Sequence, residues 1–273
     1  MKRNKHQLLW KLLLLIIAVF WMIPLIYMVS MSFRTPENAF EPVLLKAPFV
    51  ISNYQTVFND VALEWNFLSS IVTTVSTVIL VTLFALMATF GLSRKEIKHK
   101  KFIYNMLVLT LMVPISALVI PLTQINAELN WLNKYQGLIF PYTALGIPFA
   151  IVILKGFMDS FPMELEEAAT VDGCGYWRLC FRIVAPIMRP GIIVIVIWQF
   201  LTSWNEFFLA LVTMSDIKMK TLTLMPMQYS GSTFSKPGAL FAILVIITLP
   251  MIVFYTLVQK QFVSGLISGA VKG

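Results

Sequence analysis

The sequence predicts an all-α, polytopic membrane protein with six transmembrane helices. Three observations predict it. The 273 residues are 58% hydrophobic and only 12% charged, against about 25% charged in an ordinary globular domain. The apolar residues gather into six runs, each near the roughly 20 residues that a bilayer crossing needs. Of the 21 Lys and Arg, fifteen fall on one set of alternating connections and six on the other, the asymmetry that sets membrane orientation.

Residues 1–7 are polar and basic, and an apolar run follows over about 8–31. It is too long for a secretory signal and lacks a small-residue cleavage site, so it reads as an uncleaved first span with its N-terminus inside. Residues 32–66 carry Pro36, Pro42 and Pro48 and form the longest extracytoplasmic loop. The second span, 67–93, is rich in Thr, Ser and Ala, which suits close helix packing in lipid. The basic clamp RKEIKHKK (94–101) leads to a third span, 102–125, in which Pro114 and Pro121 predict kinks. A short outer turn, 126–136, precedes a fourth span, 137–157. Its Pro141, Gly146 and Pro148 predict a bent or broken helix. After a polar loop, 159–190, come a fifth span, 191–213, an outer loop, 214–237, and a sixth span, 238–262, bent at Pro250. The tail FVSGLISGAVKG ends the chain. The positive-inside rule places both termini and the 159–190 loop in the cytoplasm. Residues 1–273 read as one membrane domain, with no length left for a sizeable soluble one.

The 159–190 loop is the longest polar interruption in the second half. Glu164, Glu166 and Glu167 suit the positive end of a short helix, and Pro162 is tolerated in its first turn. Gly173 and Gly175 can end it in a left-handed turn. Tyr176 to Val184 then predict a second helix, stopped before Pro186. A helix, a Gly turn and a second helix between two spans read as a docking element. Ala168 and Ala169 permit close approach, and Glu167 can pair with a basic partner or cap a backbone N–H. Tyr176, Trp177, Leu179 and Phe181 can wedge the second helix against the spans, a packing role favoured over partner contact.

Catalytic signatures are missing from the sequence. It contains no G-x-x-x-x-G-K-[ST], H-E-x-x-H, nucleophile elbow or C-x-x-C. The chain therefore reads as no enzyme, with no catalytic residue, metal or cofactor, and any ATP must be bound by another polypeptide. Cys174 and Cys180 share the cytoplasmic loop, where a structural disulfide is not expected, and His6 and His99 are far apart. The net charge of +8 follows membrane topology and does not point to nucleic acid. Gln199, Ser203, Trp204, Asn205 and Glu206 cluster within the fifth span. An acid near the bilayer centre costs about 2.5–3.5 kcal/mol on insertion scales, so Glu206 must face protein or water. It reads equally as a cavity or gate residue and as a structural hydrogen bond between helices. Gln124 and Asn126 fit the outer interface of the third span.

Glu167-Ala168-Ala169, three residues, Gly173, nine residues, Ile183, one residue and Ala185-Pro186 resemble the EAA motif of bacterial ABC importer permeases. That pattern reads EAA, three residues, Gly, nine residues, Ile, one residue, Leu-Pro; the departure is Ala185, a smaller apolar residue. The resemblance implies that the loop is a coupling helix seated in a cleft on a cytoplasmic ATPase, with Glu167, Ala168, Ala169, Asp172 and Gly173 as contacts. SWNEFFLAL (203–211) and the six-span layout resemble the carbohydrate, maltose-type branch, and the polar cluster noted above makes Gln199, Trp204, Asn205 and Glu206 the expected substrate path. MKTLTLMPMQYSG (219–231) resembles the loop that in maltose-type importers reaches into the binding protein. It implies such a contact for Met227, Gln228, Tyr229 and Ser230, with a plain connecting loop as the rival reading. The tail resembles that branch's tail, which in some members reaches the ATPase interface.

The implied protein is a permease subunit for a sugar or oligosaccharide in a bacterial plasma (inner) membrane. Its implied partners are a second homologous permease, two ATPase subunits that bind the ATP, an extracytoplasmic solute-binding protein and membrane lipid. A glycerophosphate-type importer is the nearest alternative, although no Lys or Arg lies deep in a span to meet a phosphate. A secondary transporter or channel would be expected to show paired acids or inverted repeats, and the spans hold essentially one acid, Glu206. A membrane-embedded enzyme would need catalytic His, Asp or Ser groups at a common depth.

Overall fold

The computed structural model describes residues 2–38, 41, 43–45, 47–60, 62–94, 97–160, 163–231 and 236–270. Among them the chain is largely helical, with an isolated bridge between Arg34 and Phe49. The helices are α1 (Lys2–Ser32), α2 (Ser52–Asp60), α3 (Leu63–Arg94), α4 (Lys100–Thr110), α5 (Ile115–Glu128) and α6 (Gln136–Asp159). They continue as α7 (Glu164–Val171), α8 (Tyr176–Arg178), α9 (Ala185–Ile187), α10 (Arg189–Trp204), α11 (Phe208–Thr213) and α12 (Pro237–Ala270). Four helices are long and apolar enough to cross a membrane: Gln7–Ser32, Leu63–Arg94, Gln136–Asp159 and Pro237–Gln259. Two bent pairs, α4 with α5 at 99° and Tyr176–Ile187 with α10 at 81°, make six if each is one span.

The third span breaks where Pro114 predicts. Pro114 is extended (φ −68°, ψ 137°) ahead of α5, and without an N–H it cannot continue the α4 ladder. Pro121 sits inside α5. The fourth span, expected bent or broken, is not broken: one helix contains both Pro141 and Pro148. Pro141 cannot donate to the Gly137 carbonyl one turn earlier. Asn126 supplies the missing donor from α5, its Nδ2 bonding Gly137 O at 2.8 Å. A buried carbonyl freed by proline is thus re-satisfied by a neighbouring helix. Asn126, which the interface alone had seemed to explain, is 1% exposed.

The fifth span, expected continuous over 191–213, stops at Trp204 and restarts at Phe208. The helix expected to stop before Pro186 runs on to Ile187. It does so through a π-helical stretch, Leu179–Val184, whose wider turn carries the backbone past the ring. The sixth span and the tail form a single helix to Ala270, with Pro250 inside it. Pro42, Lys95, Pro162 and tail residues 271–273 lie outside the described residues.

The contacts divide into two compact units. In the unit of Met1–Leu63 and Met225–Pro250, the segment between α1 and α2 is gathered around Arg34, which is fully buried. Its guanidinium donates to the carbonyl oxygens of Asn38 (3.4 Å), Glu41 (2.8 Å) and Val43, and lies 5.4 Å from the Tyr27 ring centroid. Asn53 Nδ2 bonds the carbonyls of Ser32 and Arg34 at 3.0 and 2.8 Å, which ties α2 to the same loop. In the unit of Glu64–Leu224 and Met251–Gly273, the core joins Val81, Ala85, Leu86 and Phe90 of α3 to Ile151, Leu154 and Met158 of α6 and Ile195 of α10. Leu179, Cys180 and Val184 belong to that core. The second half of the polar loop is therefore built into the bundle.

Candidate functional site

Two places in the second unit hold polar groups against an apolar bundle: α7 with its flanks, and the break between α10 and α11. In α7 the three acids of the first turn do not behave alike. Glu166 is 7% exposed, and its Oε1 accepts Arg94 Nε at 2.7 Å. Arg94 also donates through Nη2 to Met158 O at 3.3 Å. One guanidinium thus joins the end of α3, the last turns of α6 and α7. Removing either member would strand a buried charge.

With Glu166 turned inward, Glu167, Ala168 and Asp172 face out beside Leu165 and Val171, which are 50% and 87% exposed. Ala169 is half-buried against the core. Gly173 ends the helix at φ +76°, with its N–H on Thr170 O at 3.0 Å and the Cys174 N–H on Ala169 O at 3.0 Å. No heavy atom lies within 4 Å of a Cβ placed there. The glycine is required by backbone conformation and not by space. Gly175 is extended (φ −68°, ψ 158°), so Gly173 alone makes the left-handed turn.

Tyr176 packs on Phe90 with ring centroids 4.7 Å apart, and Leu179 is buried, so these two wedge the following helix as expected. Trp177 and Phe181 do not. They are 57% and 39% exposed and stack on each other at 6.2 Å, because the helix turns only one face to the core. Burial pushes the Cys180 thiol up, and burial followed by the nearby Cys180 raises the Tyr176 phenol. A groove of about 450 Å³ opens beside α7, lined by Phe90, Arg94, Glu166, Glu167, Thr170 and Tyr176 among others.

Glu206 explains the broken span. Its Oε1 accepts Leu209 N at 2.9 Å and its Oε2 accepts Ala210 N at 3.1 Å, so the side chain caps α11. The Tyr142 hydroxyl donates to Oε2, and Thr223 Oγ1 donates to the Glu206 carbonyl at 3.0 Å. The structural reading of Glu206 therefore holds. Glu206 also lines a cavity of about 180 Å³ between α6 and α10, together with Tyr142, Phe149, Trp198, Gln199, Thr202 and Ser203. Gln199 Nε2 bonds Ser203 Oγ at 2.8 Å. A Cβ on Gly146 would lie 2.2 Å from Gln199 Oε1 and 2.9 Å from Val81 Cγ2, so the amide packs closely against α6 at this glycine.

Of the four residues expected on a path, only Gln199 and Glu206 reach this cavity. Trp204 is 2% exposed, stacked on Phe200 at 5.7 Å and edge-on to Phe67 at 6.3 Å, which makes it a core residue. Asn205 Nδ2 turns back to Leu201 O at 2.8 Å. Tyr142, Phe149 and Trp198 belong to no motif, and only the fold brings them to Gln199. Glu166 and Arg94 are likewise unmarked, since the EAA pattern begins one residue later.

Beyond α11, Leu222–Gln228 forms a 3-10 helix. Met227 is 51% exposed and Gln228 and Ser230 are exposed, whereas Tyr229 is 3% exposed. Tyr229, expected to contact a partner, is instead buried. Among the described residues no group of three or more His, Cys, Asp and Glu is placed to hold a metal ion.

The profile of a family described as binding-protein-dependent transport system inner membrane component matches residues 81–268. The chain is 33% identical to the probable ABC transporter permease protein YurM of Bacillus subtilis (strain 168), over 96% of this chain and 87% of the relative. It is 31% identical to the sulfoquinovosyl glycerol transport system permease protein SmoH of Agrobacterium fabrum, over 94% and 91% of the two chains. It is 28% identical to the melibiose/raffinose/stachyose import permease protein MelC of Bacillus subtilis (strain 168), over 99% of both. In fold it matches a chain of a bacterial ABC transporter involved in the import of the acidic polysaccharide alginate, with a TM-score of 0.81, 22% identity, and 95% and 97% of the chains covered.

Proposed function

The chain belongs to the family of binding-protein-dependent transport system inner membrane components, and from that premise we propose how this ABC permease subunit works and what it carries. It spans the inner membrane with both termini in the cytoplasm and acts as one transmembrane domain. It pairs with a second, homologous permease, two copies of an ATPase and an extracytoplasmic solute-binding protein. ATP is bound by the ATPase subunits, and this chain needs no cofactor. Its cargo is a sugar or oligosaccharide, in keeping with relatives named for uptake of diacetylchitobiose, trehalose and melibiose/raffinose/stachyose.

The observation that carries the coupling role is the way α7 is held. One ion pair, Glu166 with Arg94, anchors it from inside, which leaves Leu165, Glu167, Ala168, Val171 and Asp172 bare on the other side. The ATPase seats on that bare face. Closure of the ATPases moves α7, and Arg94 passes the displacement to α3 and to the end of α6. The two arrangements of the bundle are then biased by ATP, a two-state element moved by differential binding. Met227, Gln228 and Ser230 face the binding protein.

Ala168→Trp tests the docking face without touching the anchor. The variant chain is expected to insert normally but to lose the co-purifying ATPase and ATP-dependent uptake together. If the ATPase stays bound at wild-type stoichiometry, its docking surface lies elsewhere on the chain.

A further inference from the structure

The cavity between α6 and α10 has a composition that points to a ligand. Its walls combine a stacked aromatic pair, Phe149 and Trp198 at 4.6 Å, with the amide of Gln199 and the hydroxyls of Thr202 and Ser203. Trp198 is 49% exposed, so one partner of the stack stays open. Gln199 is 5% exposed, and its amide nitrogen is committed to Ser203. Its carbonyl oxygen remains an acceptor with no protein donor among the described residues.

Thr202 and Asn205 are exposed on the same stretch of helix. Thr202 Oγ1 donates to the carbonyls of Trp198 and Gln199, and Asn205 Nδ2 to that of Leu201, so neither competes for Gln199 Oε1. The charge of the cavity is also informative. Its lining contains no Lys or Arg, and its one ionisable acid, Glu206, already accepts two backbone N–H groups and the Tyr142 hydroxyl. The wall offers nothing to neutralise a carboxylate, sulfonate or phosphate, and its own acid would repel one.

We propose that this cavity is a sugar subsite on this chain itself, one that takes a single uncharged pyranose ring stacked on Trp198 and hydrogen-bonded to Gln199. An apolar ring face meets the aromatic pair, and a sugar hydroxyl donates to Gln199 Oε1. At about 180 Å³ the cavity is smaller than the roughly 300 Å³ at which sites for drug-sized ligands begin, so it holds one ring of a longer sugar. This assignment rests on the sugar-import reading above and adds the chain, the residues and the charge class.

The test uses the assembled complex with its binding protein, reconstituted in proteoliposomes. Tritiated trehalose, raffinose, maltotriose and a galacturonate trimer serve as probes. One version of the chain carries p-benzoylphenylalanine in place of Leu145, which lines the cavity away from the proposed contacts, and another carries Trp198→Ala. At least one neutral sugar is expected to enter with ATP and, on illumination, to label this chain at position 145 in a manner suppressed by the same unlabelled sugar. Trp198→Ala is expected to lower uptake of that sugar at saturation by about tenfold, with Trp198→Phe between it and wild type. Neutral-sugar uptake with no label and no effect of Trp198→Ala overturns the subsite and leaves the importer reading intact. Uptake of the galacturonate trimer alone overturns the uncharged class. No ATP-dependent uptake of any probe overturns the subsite and the sugar reading together.

Discussion

Glu166 and Glu206 are both acids set into an apolar bundle, and the protein accommodates them in opposite ways. Glu166 meets a cation from a helix 72 residues earlier, and that cation also holds the end of α6. Glu206 meets no cation among the described residues. It is held by the backbone of the helix that it starts and by a tyrosine hydroxyl. The first arrangement ties distant elements together and can carry displacement between them. The second fixes a local break and keeps a polar wall in place. A long-range ion pair can be reversed in sign and still function, whereas a cap cannot.

The comparison breaks most sharply at Glu206. Glu206→Ala leaves two N–H groups and a hydroxyl without their acceptor, at a cost of about 3 kcal/mol. It is expected to give the largest fall in thermal midpoint of the detergent-solubilised chain. An unchanged midpoint would mean that the backbone alone holds the break at 205–207. Arg94→Ala strands Glu166, whose side chain is only 9% exposed, and costs about 2 kcal/mol, just under the usual range for breaking a buried pair. Protease cutting near α7 is the readout, and it should rise; equal cutting would mean that α7 is held without the pair. Asn126→Leu leaves the Gly137 carbonyl unpaired beside Pro141 and should cost about 1–2 kcal/mol, seen as a smaller drop in midpoint. A drop no larger than that of an exposed control would remove Asn126 as the reason α6 stays whole.

The smallest effect is chemical and sharpens the contrast between the two sides of the coupling segment. Cys180 is fully buried with its thiol pushed up, while Cys174 is partly exposed. At neutral pH, N-ethylmaleimide is expected to label Cys174 and spare Cys180. Arg94→Ala should raise labelling of Cys180 if the anchor also seals the core beneath it.

What was legible in the sequence was local. Six apolar runs, the break at Pro114 and the left-handed turn at Gly173 follow from residues within a few positions of each other. The misread features depend on partners far away in the chain. Pro141, Gly146 and Pro148 marked the fourth span as bent or broken, yet it does not break, and Asn126 of another helix repairs the carbonyl that Pro141 frees. The fifth span carries no Pro or Gly after Gly191, so nothing near its break announced that an acid would cap a new helix. The motif pointed to Glu167, and the neighbouring Glu166 is the anchor because the rotation of α7 is set by Arg94. Trp204 was expected on a substrate path and Tyr229 at a partner contact, but both are buried.

The most direct test of the coupling account is a charge-reversal cycle on the α7 anchor in the reconstituted complex. Solute transported per ATP hydrolysed would be measured for Arg94→Glu, Glu166→Arg and the double variant. If the pair carries displacement from α7 to α3 and α6, each single variant hydrolyses ATP with little uptake, and the double variant recovers coupling. If both single variants keep the wild-type ratio, the pair is a passive structural contact and the displacement reaches the spans by another route.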